Sequence, residues 1–271
     1  MEVFFLKGAC GSLFSVYHPA HAIDRRRLGL VYVPPFAEEM NRARRMAALQ
    51  ARRLSELGID VLLLDPFGTG DSEGDFGDAR WEIWCDDVRT AMNWLAVRTN
   101  APVGLWGLRL GALLAADVAS MQRDPIERLV LWQPVLSGDS HLTQFLRLRL
   151  AATMDKGENR ESTKVLRERL ALGETLEIAG YHLAPDLARA IGSRTFRDLM
   201  EINQTSTINW LEVTSDPLGA FSSASQRVLD VLAQQDRVIT AKVVAGQPFW
   251  LAQEITLAPD LLSATDDVLC Q

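Results

Sequence analysis

The sequence predicts an α/β fold with a mostly parallel central sheet, helices on both faces and a helical insertion late in the chain. Three observations predict it. Short apolar runs rich in β-branched residues alternate with stretches of helical periodicity over residues 28–132. The connections between them are short, as when parallel strands are joined by crossover helices. Near Gly138 the alternation stops, charge-rich helical sequence runs to about residue 203, and strand-like runs then resume.

Each element follows from its local pattern. Residues 3–5 and 13–17 read as an opening hairpin with Gly8 and Gly11 in its turn. Residues 28–33 form a buried strand ended by Pro34-Pro35, which lack the N–H a ladder needs. Residues 42–57 are an amphipathic helix stopped by Gly58, and 59–64 a second buried strand followed by the loop 65–77. Residues 81–97 place Trp84, Val88, Met92 and Leu95 at helical spacing. A strand at 102–106, a helix at 112–119 and a strand at 128–132 follow. Residues 145–154, 162–172 and 185–191 are helical, with no strand among them; strands return at 208–213 and 238–244 around a helix at 222–234. The chain therefore divides into a core, residues 1–137 and 206–271, and a helical cap, residues 138–205.

At 271 residues, 48% apolar and 23% charged, the chain is long enough to bury the core of one large domain. A formal net charge of −7 argues against nucleic acid and anionic membranes as partners. No apolar run approaches the roughly 18 residues of a membrane helix. The nearest, 103–119, carries Arg109 and Asp117, and Lys7, Gly8, Cys10 and Gly11 interrupt the early apolar run where a signal peptide would need continuity. Cys10, Cys85 and Cys270 are odd in number and widely spaced, which suits a reducing compartment and suggests neither disulfides nor a zinc site. The expected location is cytoplasmic, with no metal and no cofactor.

The pentapeptide Gly107-Leu108-Arg109-Leu110-Gly111 lies between a strand and a helix. In a G-x-S-x-G elbow the two glycines flank the nucleophile. Here that position holds Arg109, whose guanidinium stays protonated and offers only donors. The triad-acid position, after the strand 208–213, is filled by Asp216. The base should follow the last strand, but the loop Gly246-Gln247-Pro248-Phe249-Trp250 has no histidine. His18 and His21 belong to the hairpin region, whereas His141 and His182 lie in or near the cap, within reach of the pocket mouth. A triad without its serine and its histidine does not perform ordinary serine hydrolysis.

Two fates are open to Arg109. A guanidinium at the N-terminus of a helix makes a site for a carboxylate, phosphate or sulfate. Alternatively, Glu38 or Glu39, on the loop that should face the elbow, neutralises it internally, because a buried charge needs a partner. The two can coexist, but an Arg109 already in bidentate contact with a glutamate and shielded from solvent would sink the anion site. Phe36, Phe67, Trp106, Trp132 and Trp250, with Leu108 and Leu110 beside Arg109, fall at or beside the C-terminal strand ends, where open α/β sheets bind ligands. They either line an apolar cavity for an acyl chain or fill the same volume as core. Ser72 reads as a turn residue and Cys85 as core. Asp71, Glu73 and Asp75 form a solvated loop, and Arg25-Arg26-Arg27 and Arg42, Arg44 and Arg45 solvated faces.

Four pieces in order resemble the α/β-hydrolase family: the loop Pro34-Pro35-Phe36-Ala37-Glu38-Glu39-Met40-Asn41 at the oxyanion position, the glycine-rich Asp65-Pro66-Phe67-Gly68-Thr69-Gly70-Asp71-Ser72, the elbow and the cap. These motifs, with Trp106-Gly107-Leu108-Arg109-Leu110-Gly111-Ala112 and Gly246-Gln247-Pro248-Phe249-Trp250, are also similar to the exosortase A system-associated hydrolase type 2 proteins. That resemblance implies a place in bacterial exopolysaccharide and protein-sorting gene clusters. The leading expectation is a triad-deficient homologue that binds a small-molecule or carrier-linked acyl or anionic ligand, without nucleic acid or membrane insertion, and with a homodimer as one assembly considered. The alternatives are an active hydrolase or acyl-transfer enzyme using Glu38, Glu39 or Asp216 as base, and a non-catalytic partner protein.

Overall fold

The computed structural model describes residues 1–21, 28–154, 161–202, 205, 207–216, 219–235 and 237–270; the run Arg25-Arg26-Arg27 lies outside them. The hairpin forms as expected from β1 (Glu2–Lys7) and β2 (Ser12–His18), which pair antiparallel. β3 (Gly29–Val33), α1 (Glu38–Glu56), β4 (Asp60–Leu64), α2 (Trp81–Thr99), β5 (Val103–Leu108), α3 (Leu110–Ser120) and β6 (Arg128–Trp132) then alternate. After the cap come β9 (Thr207–Thr214), α8 (Ser223–Leu232), β10 (Val238–Ala245) and a C-terminal helix α9 (Pro259–Cys270), which the sequence reading did not assign.

The central sheet has the order β1-β2-β4-β3-β5-β6-β9-β10, antiparallel at the first three strands and parallel from β4 onward. This is the α/β-hydrolase architecture expected from the alternating pattern. β3 and β5 are buried at every residue, because helices cover both faces of a parallel sheet. Strand alternation then sorts their side chains. Val31, Val33 and Leu105 join the layer shared with α2, α3 and α8, while Leu30, Tyr32, Trp106 and Leu108 join the layer under α1 and α9.

The cap runs from β6 to β9 and contains α4 (Gly138–Met154), α5 (Thr163–Ala171), α6 (Pro185–Gly192) and α7 (Phe196–Ile202). It also contains a two-stranded hairpin, β7 (Leu176–Ile178) and β8 (Tyr181–Leu183), which corrects the expectation of no strands there. Three residues per strand are too few to reveal a period in sequence. The turn is readable in retrospect, since Ala179 and Gly180 both have positive φ, as a two-residue hairpin turn needs. Arg194 braces the cap on the core: its Nε lies 2.5 Å from the buried Asp117 carboxylate, which also accepts Trp81 Nε1–H at 2.6 Å, and its guanidinium stacks over the Trp81 ring.

Two boundaries matter for the site. α1 starts at Glu38, four residues earlier than expected, with Glu38 and Glu39 at the positive end of its dipole. β5 runs to Leu108 and α3 starts at Leu110, so the elbow is the single residue Arg109. The flanking glycines are demanded by contact. A Cβ on Gly111 would lie 2.3 Å from both the Val33 and Pro34 carbonyl oxygens, and one on Gly107 would lie 2.5 Å from Ala112 Cα. These are backbone atoms that cannot step aside. Gly111→Ala is therefore expected to destabilise the protein by about 3 kcal/mol or more, as overpacking against fixed atoms does. Urea unfolding midpoints check it, and a wild-type midpoint would refute the account.

Candidate functional site

Arg109 takes φ 56 and ψ −119, a backbone that side-chain-bearing residues rarely adopt. Three hydrogen bonds hold it there. Its N–H donates to the Trp132 carbonyl at 3.0 Å, and its own carbonyl accepts from Ala112 N–H at 3.1 Å and Val135 N–H at 3.2 Å. Across the site, Ala37 has nearly the same conformation, φ 52 and ψ −127, at the start of α1. Two strained turns thus face each other over the C-terminal edge of the sheet. In G-x-S-x-G elbows of this fold such turns frame the nucleophile and the oxyanion donors.

The Arg109 side chain meets Glu39. Nη2 lies 3.3 Å from Oε1, and Nε lies 3.4 Å from both carboxylate oxygens. Trp250 closes the other side, its ring centroid 5.6 Å from the guanidinium carbon. Both charged side chains are only about 15% exposed, 16% for Arg109 and 15% for Glu39. Burial raises the Glu39 pKa, and the neighbouring Arg109 offsets part of that rise. The cation of the elbow is therefore neutralised internally. The adjacent Glu38 is turned elsewhere: it accepts from the Tyr181 hydroxyl of the cap at 3.1 Å and pairs with Arg42 at 3.5 Å.

The remaining expected site residues separate. Asp216 sits on the loop after β9, exposed, with its N–H on Thr214 Oγ1 at 3.0 Å. The loop after β10 brings Phe249 and Trp250, both buried, to where a base would stand. Phe36 and Leu110 line a cavity of only ≈ 20 Å³ beside the elbow. Phe67 is packed under Gly74. Trp106, Trp132 and Leu108 are fully buried in the layer under α1 and α9, so for these three the core alternative holds rather than a cavity wall. Residues at even positions of β5 point to that layer, away from the cap.

Other sequence candidates have structural places. Ser72 Oγ bonds the Asp65 carbonyl and accepts from Phe14 N–H, tying the glycine-rich loop to the hairpin. Cys85 is buried, and burial pushes its thiol up to about 12, which disfavours the nucleophilic thiolate. Arg44 binds Asp65 at 2.6 Å and Arg42 donates to the Leu251 carbonyl at 2.7 Å, so neither is merely a solvated charge. Among the described residues no group of three His, Cys, Asp or Glu side chains is arranged to hold a metal.

His141, which the sequence places in or near the cap within reach of the pocket mouth, is buried. It stands in the first turn of α4, 6% exposed, edge-on to the Phe36 ring at 5.8 Å. Neither ring nitrogen has a hydrogen-bond partner among the described residues. Burial first, and the Arg109 charge second, lower its pKa to about 3, so the ring is neutral.

The Arg109–Glu39 pair yields a direct test. Glu39→Ala leaves a largely buried guanidinium without its counter-charge and is expected to cost about 1–3 kcal/mol. The double variant Arg109→Met/Glu39→Leu is expected to recover most of that loss, because both charges leave together. Thermal or urea unfolding of the wild type, Glu39→Leu, Arg109→Met and the double variant measures the coupling; additive effects would show that the pair contributes nothing.

The sheet order, the elbow and the facing strained loop define an α/β-hydrolase. By a family model matching residues 30–246, the chain belongs to the family described as serine aminopeptidase, S33. No curated protein matches it in sequence. Among solved structures it is similar to Est1E from Butyrivibrio proteoclasticus with ferulic acid bound, at 15% identity and TM-score 0.66 over 98% of both chains. It is also similar to DcsB in complex with its substrate analogue, at 14% identity and TM-score 0.63 over 99% of this chain and 98% of that one. A third is α/β-hydrolase domain-containing protein 10 from mouse, at 15% identity and TM-score 0.56 over 100% and 99% of the two chains. At these identities the likeness concerns the fold. No helix among the described residues is long and apolar enough to cross a membrane.

Proposed function

We propose that this chain is a triad-deficient α/β-hydrolase homologue that binds an acyl-type anionic ligand at its elbow and does not hydrolyse through Ser-His-Asp chemistry. The observation that carries this reading is Arg109 on the nucleophile's backbone, held by a loose pair with Glu39 and with no histidine on the loop after β10. The contacts of 3.3–3.4 Å exceed the 2.7–2.9 Å usual for charge-assisted bonds. Burial already favours the neutral form of Glu39. A ligand carboxylate that takes its place on Arg109 leaves Glu39 free to take up a proton. The first turn of α3 adds N–H groups without intrahelical acceptors and the positive end of a helix dipole.

The net charge of −7 supports a small-molecule or carrier-linked ligand over a nucleic acid. The motif resemblance supports a cytoplasmic place in bacterial exopolysaccharide or exosortase-linked metabolism. A second reading, an enzyme with a non-standard site, is favoured by one observation: the raised pKa of Glu39 suits a general base.

Binding tests the first reading. Octanoate is expected to raise the thermal midpoint of the wild type, Arg109→Leu to abolish the shift, and Glu39→Gln to tighten octanoate about tenfold, or about 1.4 kcal/mol, by removing the internal competitor. No shift in either the wild type or Glu39→Gln rules the reading out. Turnover tests the second. Wild type and Arg109→Ser are both expected to leave p-nitrophenyl acetate unhydrolysed above background, since no base is in place to activate a serine. Steady turnover abolished by Glu39→Gln would establish the enzyme instead.

A further inference from the structure

A separate cavity of ≈ 230 Å³ lies between α1 and the strands β2, β4 and β3. Pro34 and Met40 line both it and the small space beside the elbow, and so separate the two. Strand alternation builds its floor. On β2, Leu13 and Tyr17 turn toward α2 and are buried, whereas Phe14 and Val16 turn toward α1 and are only half-buried. Tyr32, Leu63 and Val16 pair in register across three strands, so their side chains form one row on that face. The wall above is α1, which carries only the methyl groups of Ala47 and Ala48 there and leaves the trough unfilled. The Tyr32 ring is fixed against Trp106, with centroids 4.5 Å apart. Its hydroxyl has no hydrogen-bond partner among the described residues, a bond that buried polar groups rarely leave unmade.

Independently of the elbow reading, we propose that this cavity binds a small aryl monocarboxylic acid. Its carboxylate meets Arg52, its ring lies between Ala47 and Ala48 and the row of Val16 and Leu63, and a polar group at its far end meets the Tyr32 hydroxyl. The charge balance selects a single negative charge. The charged side chains that line the cavity are Arg44, Asp65 and Arg52. Arg44 and Asp65 cancel, at 2.6 Å. Arg52 stands eight residues along α1 from Arg44, or about 12 Å of helix, and has no ion pair or hydrogen bond among the described residues. His18, buried at the same end, is neutral: burial first, and then neighbouring cations that include Arg52, lower its pKa to about 4. One cation therefore remains for one anionic group. Size sets the rest. The volume equals that of about eight liquid waters and falls below the roughly 300–1,000 Å³ of drug-sized sites, which suits one ring and excludes a nucleotide.

Calorimetric titration with 4-hydroxyphenylacetate, phenylacetate and the uncharged 4-hydroxyphenylethanol tests this. The wild type is expected to bind 4-hydroxyphenylacetate about tenfold more tightly than either of the others, each of which lacks one polar contact. Arg52→Leu is expected to bring the acid down to the affinity of the alcohol. Tyr32→Phe is expected to erase the preference for 4-hydroxyphenylacetate over phenylacetate. Ala48→Phe fills the trough and is expected to abolish binding, whereas Arg109→Leu is expected to bind as the wild type does. No binding by the wild type overturns the proposal. So does wild-type affinity in Arg52→Leu or Ala48→Phe, or a preference that survives in Tyr32→Phe. Should Ala48→Phe not fold, the backbone amide resonances of the wild type decide: 4-hydroxyphenylacetate must shift those of Val16, Leu63, Ala47 and Ala48, and shifts confined to other residues overturn it. Binding lost in Arg109→Leu but kept in Arg52→Leu places the acid at the elbow, which overturns this inference and leaves the elbow reading standing.

Discussion

The close approach of the first turn of α3 to the end of β3 governs everything at this site. Gly111 sits so near the Val33 and Pro34 carbonyls that even a methyl group would overlap them. That contact leaves one residue to turn the chain from β5 into α3. The single residue must take a positive φ, a conformation that costs a side-chain-bearing residue about 1–3 kcal/mol. The bonds from Arg109 to Trp132 and Val135 hold it there. The same geometry that would aim a nucleophile into a pocket therefore aims a guanidinium, and the helix N-terminus stays beneath it.

Electrostatics then decides how that guanidinium is accommodated. Two glutamates begin α1, one residue apart, and the helix turns them to different partners. Glu39 faces Arg109, while Glu38 holds Tyr181 of the cap hairpin. At Glu39 two effects oppose each other: removal from water favours the neutral acid and the guanidinium favours the carboxylate. Burial is the larger, so the carboxyl pKa is raised despite its ion pair. A pair in that state neutralises the cation without locking it. A much firmer bridge lies farther out, where Arg194, Asp117 and Trp81 clamp the cap to α2 and α3.

Most of the fold is legible in the sequence because its signals are local. The alternation of buried strands with amphipathic helices places β3 through β6 and the helices between them within a few residues. Glycines at 107 and 111 around Arg109, an acid after β9 and no histidine in the loop after β10 are likewise read directly from the sequence. The cap hairpin is missed because three-residue strands carry no periodicity, whereas α9 opens on Pro259 and Asp260, start signals that the sequence did offer. The tryptophans mislead for a related reason. Trp106 and Trp132 lie near strand ends, but the parity of a strand decides which face a residue joins, and one position is enough to move it from pocket to core.

By itself the sequence determined the architecture, the presence of a cation where a nucleophile would stand, and the shortlist of two glutamates that could answer it. The tertiary structure decided between those glutamates, stacked Trp250 on the guanidinium, closed the space beside the elbow to ≈ 20 Å³ and brought an unpartnered histidine from the cap into its field. The division has one physical reason. Periodicity, turn residues and motif spacing act between neighbours along the chain. An ion pair between Glu39 and Arg109, or the influence of Arg109 on His141, exists only once packing has set the distance between elements that the sequence keeps apart.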